Sequence, residues 1–150
     1  MRNEETITID RPIDEVFAYL SDVERHPEWV SSVLATRKTS DGPMGLGATF
    51  TEEGKTLGRH LEGTWEITAY EPPHTIQQRM KLGPAQVIIT ATMEAANGGT
   101  KVTIVQEGET GGLLKLADPL VARSLKKQLA ADVETLRTLV ESGVTAASPA

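Results

Sequence analysis

The sequence has no cysteine, and that absence removes disulfides, thiolate metal ligands and cysteine nucleophiles together. Aromatic residues are scarce too, at 4%, so the interior must be chiefly aliphatic, with little ring surface for stacking on a base, a sugar or a flavin. Nor is there an excess of positive charge. The 15 Lys and Arg stand against 21 Asp and Glu, and the net charge of −6 argues against a nucleic-acid partner. No stretch approaches the ~20 apolar residues needed to cross a bilayer, and Met1 to Ile9 lacks the apolar run of a secretion signal. A cytoplasmic protein without stable membrane insertion is expected. At 150 residues the chain suits one domain, large enough to bury roughly 70% of its unfolded surface.

What is present is periodic. Glu5 to Ile9 alternates Thr and Ile, which places Ile7 and Ile9 on one face of a strand. Asp10 and Pro12 mark a helix start, and Ile13, Val16, Phe17 and Leu20 fall at the spacing of one buried stripe. Ser21-Asp22 is a cap for a second short helix carrying His26-Pro-Glu-Trp29, and Val33 to Thr39 is extended. After the glycine-rich loop Gly42 to Gly47, five strands are expected at 47–56, 59–70, 75–82, 85–95 and 100–109, with Asn97-Gly98-Gly99 as a hairpin turn. Links this short favour antiparallel pairing. Leu61, Gly63, Trp65 and Ile67 alternate with Glu62, Thr64, Glu66 and Thr68, and the next two strands repeat the split, so one face is covered and one is wet. Asp118-Pro119 then opens a long helix whose Val121, Leu125, Leu129, Val133, Leu136 and Val140 form the covering stripe. Arg123, Lys126, Lys127 and Arg137 lie off it, as a solvated face or an anionic-membrane patch. A domain over 1–142 and a flexible tail over 143–150 complete the plan.

Four runs of this sequence resemble the START-like (SRPBCC) superfamily, in particular its polyketide cyclase/dehydrase and lipid-transport group. They are Ile9-Asp-Arg-Pro-Ile-Asp-Glu-Val-Phe-Ala-Tyr-Leu-Ser-Asp22, His26-Pro-Glu-Trp29, Trp65-Glu-Ile-Thr-Ala-Tyr-Glu-Pro-Pro73 and Ala131-Asp-Val-Glu-Thr-Leu-Arg-Thr-Leu-Val-Glu141. The resemblance implies an α+β helix-grip fold: a seven-stranded curved antiparallel sheet, two short helices after the first strand, and a long C-terminal helix across the concave face. It also implies a cavity for a small hydrophobic molecule, with Gly42 to Gly47 and Gly111-Gly112 flanking its mouth. Combined with the face assignment, the lining candidates are Phe50, Leu61, Trp65, Ile67, Gln78, Met80, Ile89, Met93, Ile104, Gln106, Leu116, Leu120 and Ser124. Each apolar member is equally readable as core, and Trp29 reads as a structural plug. Gln78 and Gln106 discriminate better, because a buried amide without a partner costs a few kcal/mol and calls for a water, a side chain or a ligand.

Other chemistry finds less support. Gly54-Lys55-Thr56 is not a phosphate loop, since Thr49 stands where the first glycine is needed and a strand follows in place of a helix. His26, His60 and His74 form no metal-ligand spacing and no legible triad, so neither a metal nor a cofactor is expected. Glu52 shares the Phe50 face, where it is either a buried acid or base or a strand-end surface residue. Three functions follow in order: binding or transport of a small hydrophobic ligand, a polyketide cyclase/dehydratase-type enzyme, and a protein or membrane-surface interaction module. Because the inner face is mostly Leu, Ile, Val and Met, an aliphatic ligand fits better than stacked rings.

Overall fold

The alternating segments pair into a single sheet. The computed structural model describes residues 1–56, 58–82, 85–109 and 119–143. Among these, seven strands run as β1 (Arg2–Ile9), β2 (Val33–Lys38), β3 (Thr49–Thr56), β4 (Arg59–Glu71), β5 (Thr75–Leu82), β6 (Ala85–Ala96) and β7 (Gly99–Glu109). The helices are α1 (Ile13–Ser21), α2 (His26–Trp29), entered through one 3₁₀ turn at Val23–Arg25, and α3 (Pro119–Glu141). Strands β2 to β7 form a meander and β1 pairs with β7, giving the antiparallel order β1-β7-β6-β5-β4-β3-β2. This is the expected α+β helix grip. Leu57, Gly83-Pro84, Gly111-Gly112, Leu116, Asp118 and the tail from residue 144 lie outside the described residues.

Turn chemistry sets the register. Asn97 and Gly98 have φ of 50° and 84°, the two positive values that a two-residue type I′ turn requires, and Ala96 accordingly pairs with Gly99. At Gly99 an ideal Cβ would lie 2.6 Å from the Ile9 carbonyl oxygen, so only glycine lets β7 begin against the end of β1. On the wet face, Thr68 donates to Gln77 and Gln77 to Thr90, both at 2.9 Å, while Arg79 meets Glu66 at 3.1 Å. A register shift between Ile67 and Ala69 turns Tyr70 inward, where its ring meets Phe17 edge-on at 5.6 Å.

The covered face carries the core. Val16, Phe17 and Leu20 of α1 are buried, as their spacing predicts, and Ile7 and Ile9 of β1 join them. Only the second half of α3 is buried, through Leu129, Val133, Leu136 and Val140, and it packs chiefly along β1. The Asp10 N–H donates to Glu141 at 2.8 Å, fastening the helix end to the strand end. Asp10 does not cap α1. Pro12 occupies the cap position without a side-chain hydrogen bond, and Asp14 and Glu15 supply negative charge in the first turn. Asp22 likewise makes no cap bond and accepts from Arg25 at 3.2 Å.

Candidate functional site

Because α3 covers the sheet mainly along β1, the sheet centre and α2 enclose a space. This cavity measures about 140 Å3 and is walled by α2, residues 30 to 33, the inner faces of β3 to β7, and Leu129 and Asp132 of α3. Its apolar surface comes from Leu20, Val30, Val33, Ile76, Ala91 and Leu129 together with Trp29, Trp65, Ile89 and Ile104. Set among them are six polar side chains: His26, Ser32, Glu52, Gln78, Gln106 and Asp132.

The polar members are held differently. Gln78 lies opposite Ile67 and Ile89, and Ile89 lies opposite Gln106, so an isoleucine separates the two amides and they do not pair. Neither side-chain amide has a hydrogen-bond partner among the described residues. Glu52 is buried, and its Oε2 accepts from Thr36 Oγ1 at 3.1 Å and contacts His26 Nδ1 at 2.5 Å. Thr36 sits opposite Glu52 in the β2–β3 register, which fixes the carboxylate from the neighbouring strand. The His26 ring is clamped by Trp29 and Phe50, each edge-on with centroids 6.0 and 5.8 Å away, and Phe50 stacks on Trp65 at 6.4 Å. Outside this wall, Tyr19 donates to Glu28 at 2.8 Å and Arg25 lies over the Tyr19 ring, which locks α2 to α1. Burial and the neighbouring Glu28 push the Tyr19 hydroxyl well above its ordinary pKa.

Two polar groups are strained by burial. Asp132 Oδ1 accepts from the Ser31 N–H at 3.1 Å, yet burial still raises its pKa above the ordinary carboxylate value, the Ser31 bonds acting in the opposite direction. The Trp29 indole is 8% exposed, and its Nε1 is enclosed without a hydrogen-bond partner. A buried donor left in this state costs about 1–3 kcal/mol.

Of the residues expected on sequence grounds, Trp65, Gln78, Ile89, Ile104, Gln106 and the acid-base candidate Glu52 stand at the cavity wall. Phe50, Ile67 and Met93 face the same way but are fully packed core behind it. Met80 is partly buried and fills the space over Gly63, where a Cβ would meet its sulfur. Three expectations are corrected. Leu61 has the right face but is 49% exposed, because β4 runs beyond the covering helices towards its turn with β3. Leu120, at 73% exposed, and Ser124, also exposed, precede the part of α3 that meets the rest of the fold. Leu116 lies outside the described residues.

His26, Trp29 and Asp132 were not assigned to the cavity on sequence grounds. Trp29, expected as a structural plug, is buried and borders the cavity, and His26 is buried against Glu52. Asp132 did leave a signal: it falls three residues after Leu129 and four before Leu136, a charge on the apolar stripe. His60 is exposed on the wet face, and His74 Nδ1 lies 3.1 Å from the Met93 carbonyl oxygen. No described helix is long and apolar enough to cross a membrane.

Solved structures share this architecture over almost the whole chain. A protein of Thermus thermophilus, TTHA0849, superposes with a TM-score of 0.76 at 17% identity, covering 99% of this chain and 100% of its own. Ara h 8.0201 gives 0.73 at 18% identity, with 95% of this chain and 98% of that one covered. The di-domain ARO/CYC StfQ from the steffimycin biosynthetic pathway gives 0.74 at 12% identity, covering 95% of this chain and 51% of that one. At these identities the likeness is one of fold. A search of curated protein sequences finds no match. At the level of family the sequence is decisive, for the model of the group described as polyketide cyclase/dehydrase and lipid transport matches residues 2–141, and the chain belongs to that family.

Proposed function

We propose that the chain binds a small, mainly aliphatic molecule carrying a carbonyl or hydroxyl oxygen, held in the cavity between the sheet and α3. The observation that carries this reading is the pair of side-chain amides of Gln78 and Gln106, each without a partner among the described residues in the wall of a mostly apolar space. An acceptor oxygen on the ligand takes a hydrogen bond from either amide. Affinity comes from apolar burial at roughly 25 cal/mol per Å2, and orientation from the polar groups. Size narrows the ligand class. An engineered apolar cavity of about 150 Å3 in another protein holds benzene, so about 140 Å3 seats a group of that bulk, such as the oxygen-bearing end of a longer chain, and is tight for three or more fused rings.

The test is thermal unfolding against a panel of medium-chain ketones, alcohols and alkanes. Oxygenated ligands at a hundredfold excess over Kd stabilise the fold by about 2.7 kcal/mol, and matched alkanes do so less well. A panel in which no member raises the unfolding temperature removes the proposal.

A further inference from the structure

We infer that His26 is a general base towards the bound ligand, with Glu52 as its positioning residue and the side-chain amides of Gln78 and Gln106 as donors to the oxygen on which charge develops. This deepens the binding reading and rests on it. An ionised Glu52 can only accept, so its contact with His26 makes Nδ1 the protonated nitrogen and leaves the Nε2 lone pair free to take a proton. Among the described residues Nε2 has no partner, yet it is not among the fully enclosed unpartnered atoms, and His26 is part of the cavity wall. Its lone pair therefore meets the open space. The ring is held by three independent contacts, Glu52, Trp29 and Phe50, and the carboxylate is itself oriented by Thr36. A buried carboxylate–imidazole pair of this kind is a poor way to gain stability, since apolar residues of the same volume do as well. Its geometry is that of a base with an orienting acid, in the wall of a cavity that also holds two unpartnered amide donors.

The reaction class is proton abstraction from carbon next to a carbonyl. The C–H bond breaks and its proton passes to His26 Nε2. The C–H electron pair forms the new C=C bond and the carbonyl π pair moves onto oxygen, which accepts from the Gln78 or Gln106 side-chain amide. The imidazolium keeps its Nδ1–H on the Glu52 carboxylate and returns the proton to carbon, so the net change is enolisation or isomerisation with no other reactant.

A carbon-acid probe tests this without the natural ligand. With 5-nitrobenzisoxazole, loss of the ring C–H proton to the base forms the nitrile as the N–O bond breaks, and the released nitrophenolate is read by absorbance. The protein is expected to outpace free imidazole at equal concentration, to be inhibited competitively by nonan-2-one, and to lose about a hundredfold in rate in His26→Gln. Glu52→Gln is expected to lower kcat with KM unchanged. Turnover no faster than imidazole, or unaffected by His26→Gln, overturns the inference. A wild-type measurement guards against a variant that does not fold: 15N NMR of His26 at pH 7.5 is expected to show the Nδ1–H tautomer, and an Nε2–H tautomer overturns the assignment. Nonan-2-one binding without probe turnover defeats the base alone, whereas the absence of both defeats the binding reading as well.

Discussion

Substituting Ala91 by leucine asks whether the enclosed space is real. Ala91 is 5% exposed, stands at the cavity wall, and lies between Ile76 and Ile104 in the register of β5, β6 and β7. Leucine adds three carbons directed into about 140 Å3 of free volume. At ~0.8 kcal/mol per buried CH2, they contribute about 2.4 kcal/mol of transfer free energy. Fixing the leucine rotamer offsets about 0.5–1 kcal/mol of that, leaving a gain of about 1.5 kcal/mol. For a domain of this size such a gain raises Tm by about 3–6 °C. The same side chain occupies ligand volume, so affinity for a medium-chain ketone falls at least about tenfold, the equivalent of 1.4 kcal/mol. Urea unfolding followed by circular dichroism, with and without the ketone, reads both effects. If the interior is already close-packed, leucine overpacks it and costs about 1–3 kcal/mol. A destabilisation of that size with an unchanged m value would refute the cavity.

Three further outcomes follow from the same geometry. Gln78→Leu removes an unpartnered amide from the wall and is expected to stabilise the free protein while weakening ketone binding by about 1 kcal/mol and leaving alkane binding intact, as read by calorimetry. Asp132→Asn is expected to stabilise the fold at neutral pH. Because burial raises the Asp132 pKa in the folded state, the unfolded chain loses its proton first as pH rises from the ordinary value of 3.8, and stability falls until the folded-state value is passed. The advantage of asparagine therefore appears above that window and disappears below about pH 4, which a pH series of urea melts resolves. Gly99→Ala drives a Cβ onto the Ile9 carbonyl and should cost about 1–3 kcal/mol; a wild-type melting curve would contradict the described β1–β7 approach.

Much of the sheet was legible because its signals are local. Period-two alternation and the Asn97-Gly98 turn locate β4 to β7 within about a residue of their observed ends, and alternation also places Glu52, Trp65, Gln78 and Gln106 on the inner face. What alternation lacks is any record of what covers a face. Leu61 has the inward parity, but β4 outruns the helices, and Leu120 and Ser124 have helical spacing on a half of α3 that is exposed. The His26–Glu52 pair was illegible for a different reason. It joins residues 26 apart on a four-residue helix and a strand, and only the packing of α2 against the sheet brings them together. The scarcity of aromatic residues concealed their placement: Trp29, Phe50 and Trp65 gather around His26, so the few rings present concentrate at the site.

The decisive observation is of the Gln78 and Gln106 side-chain amide resonances in a 1H–15N spectrum recorded while nonan-2-one is titrated in, with Gln78→Leu and Gln106→Leu assigning them. A ligand oxygen accepting from either amide moves its protons downfield and saturably, together with the methyl groups of Ile76, Ile89 and Ile104 at the cavity wall. Amide signals of Gln78 and Gln106 that stay fixed while only the exposed Leu34 and Leu46 methyls respond would mean that the ketone touches the surface and that the cavity is not its site.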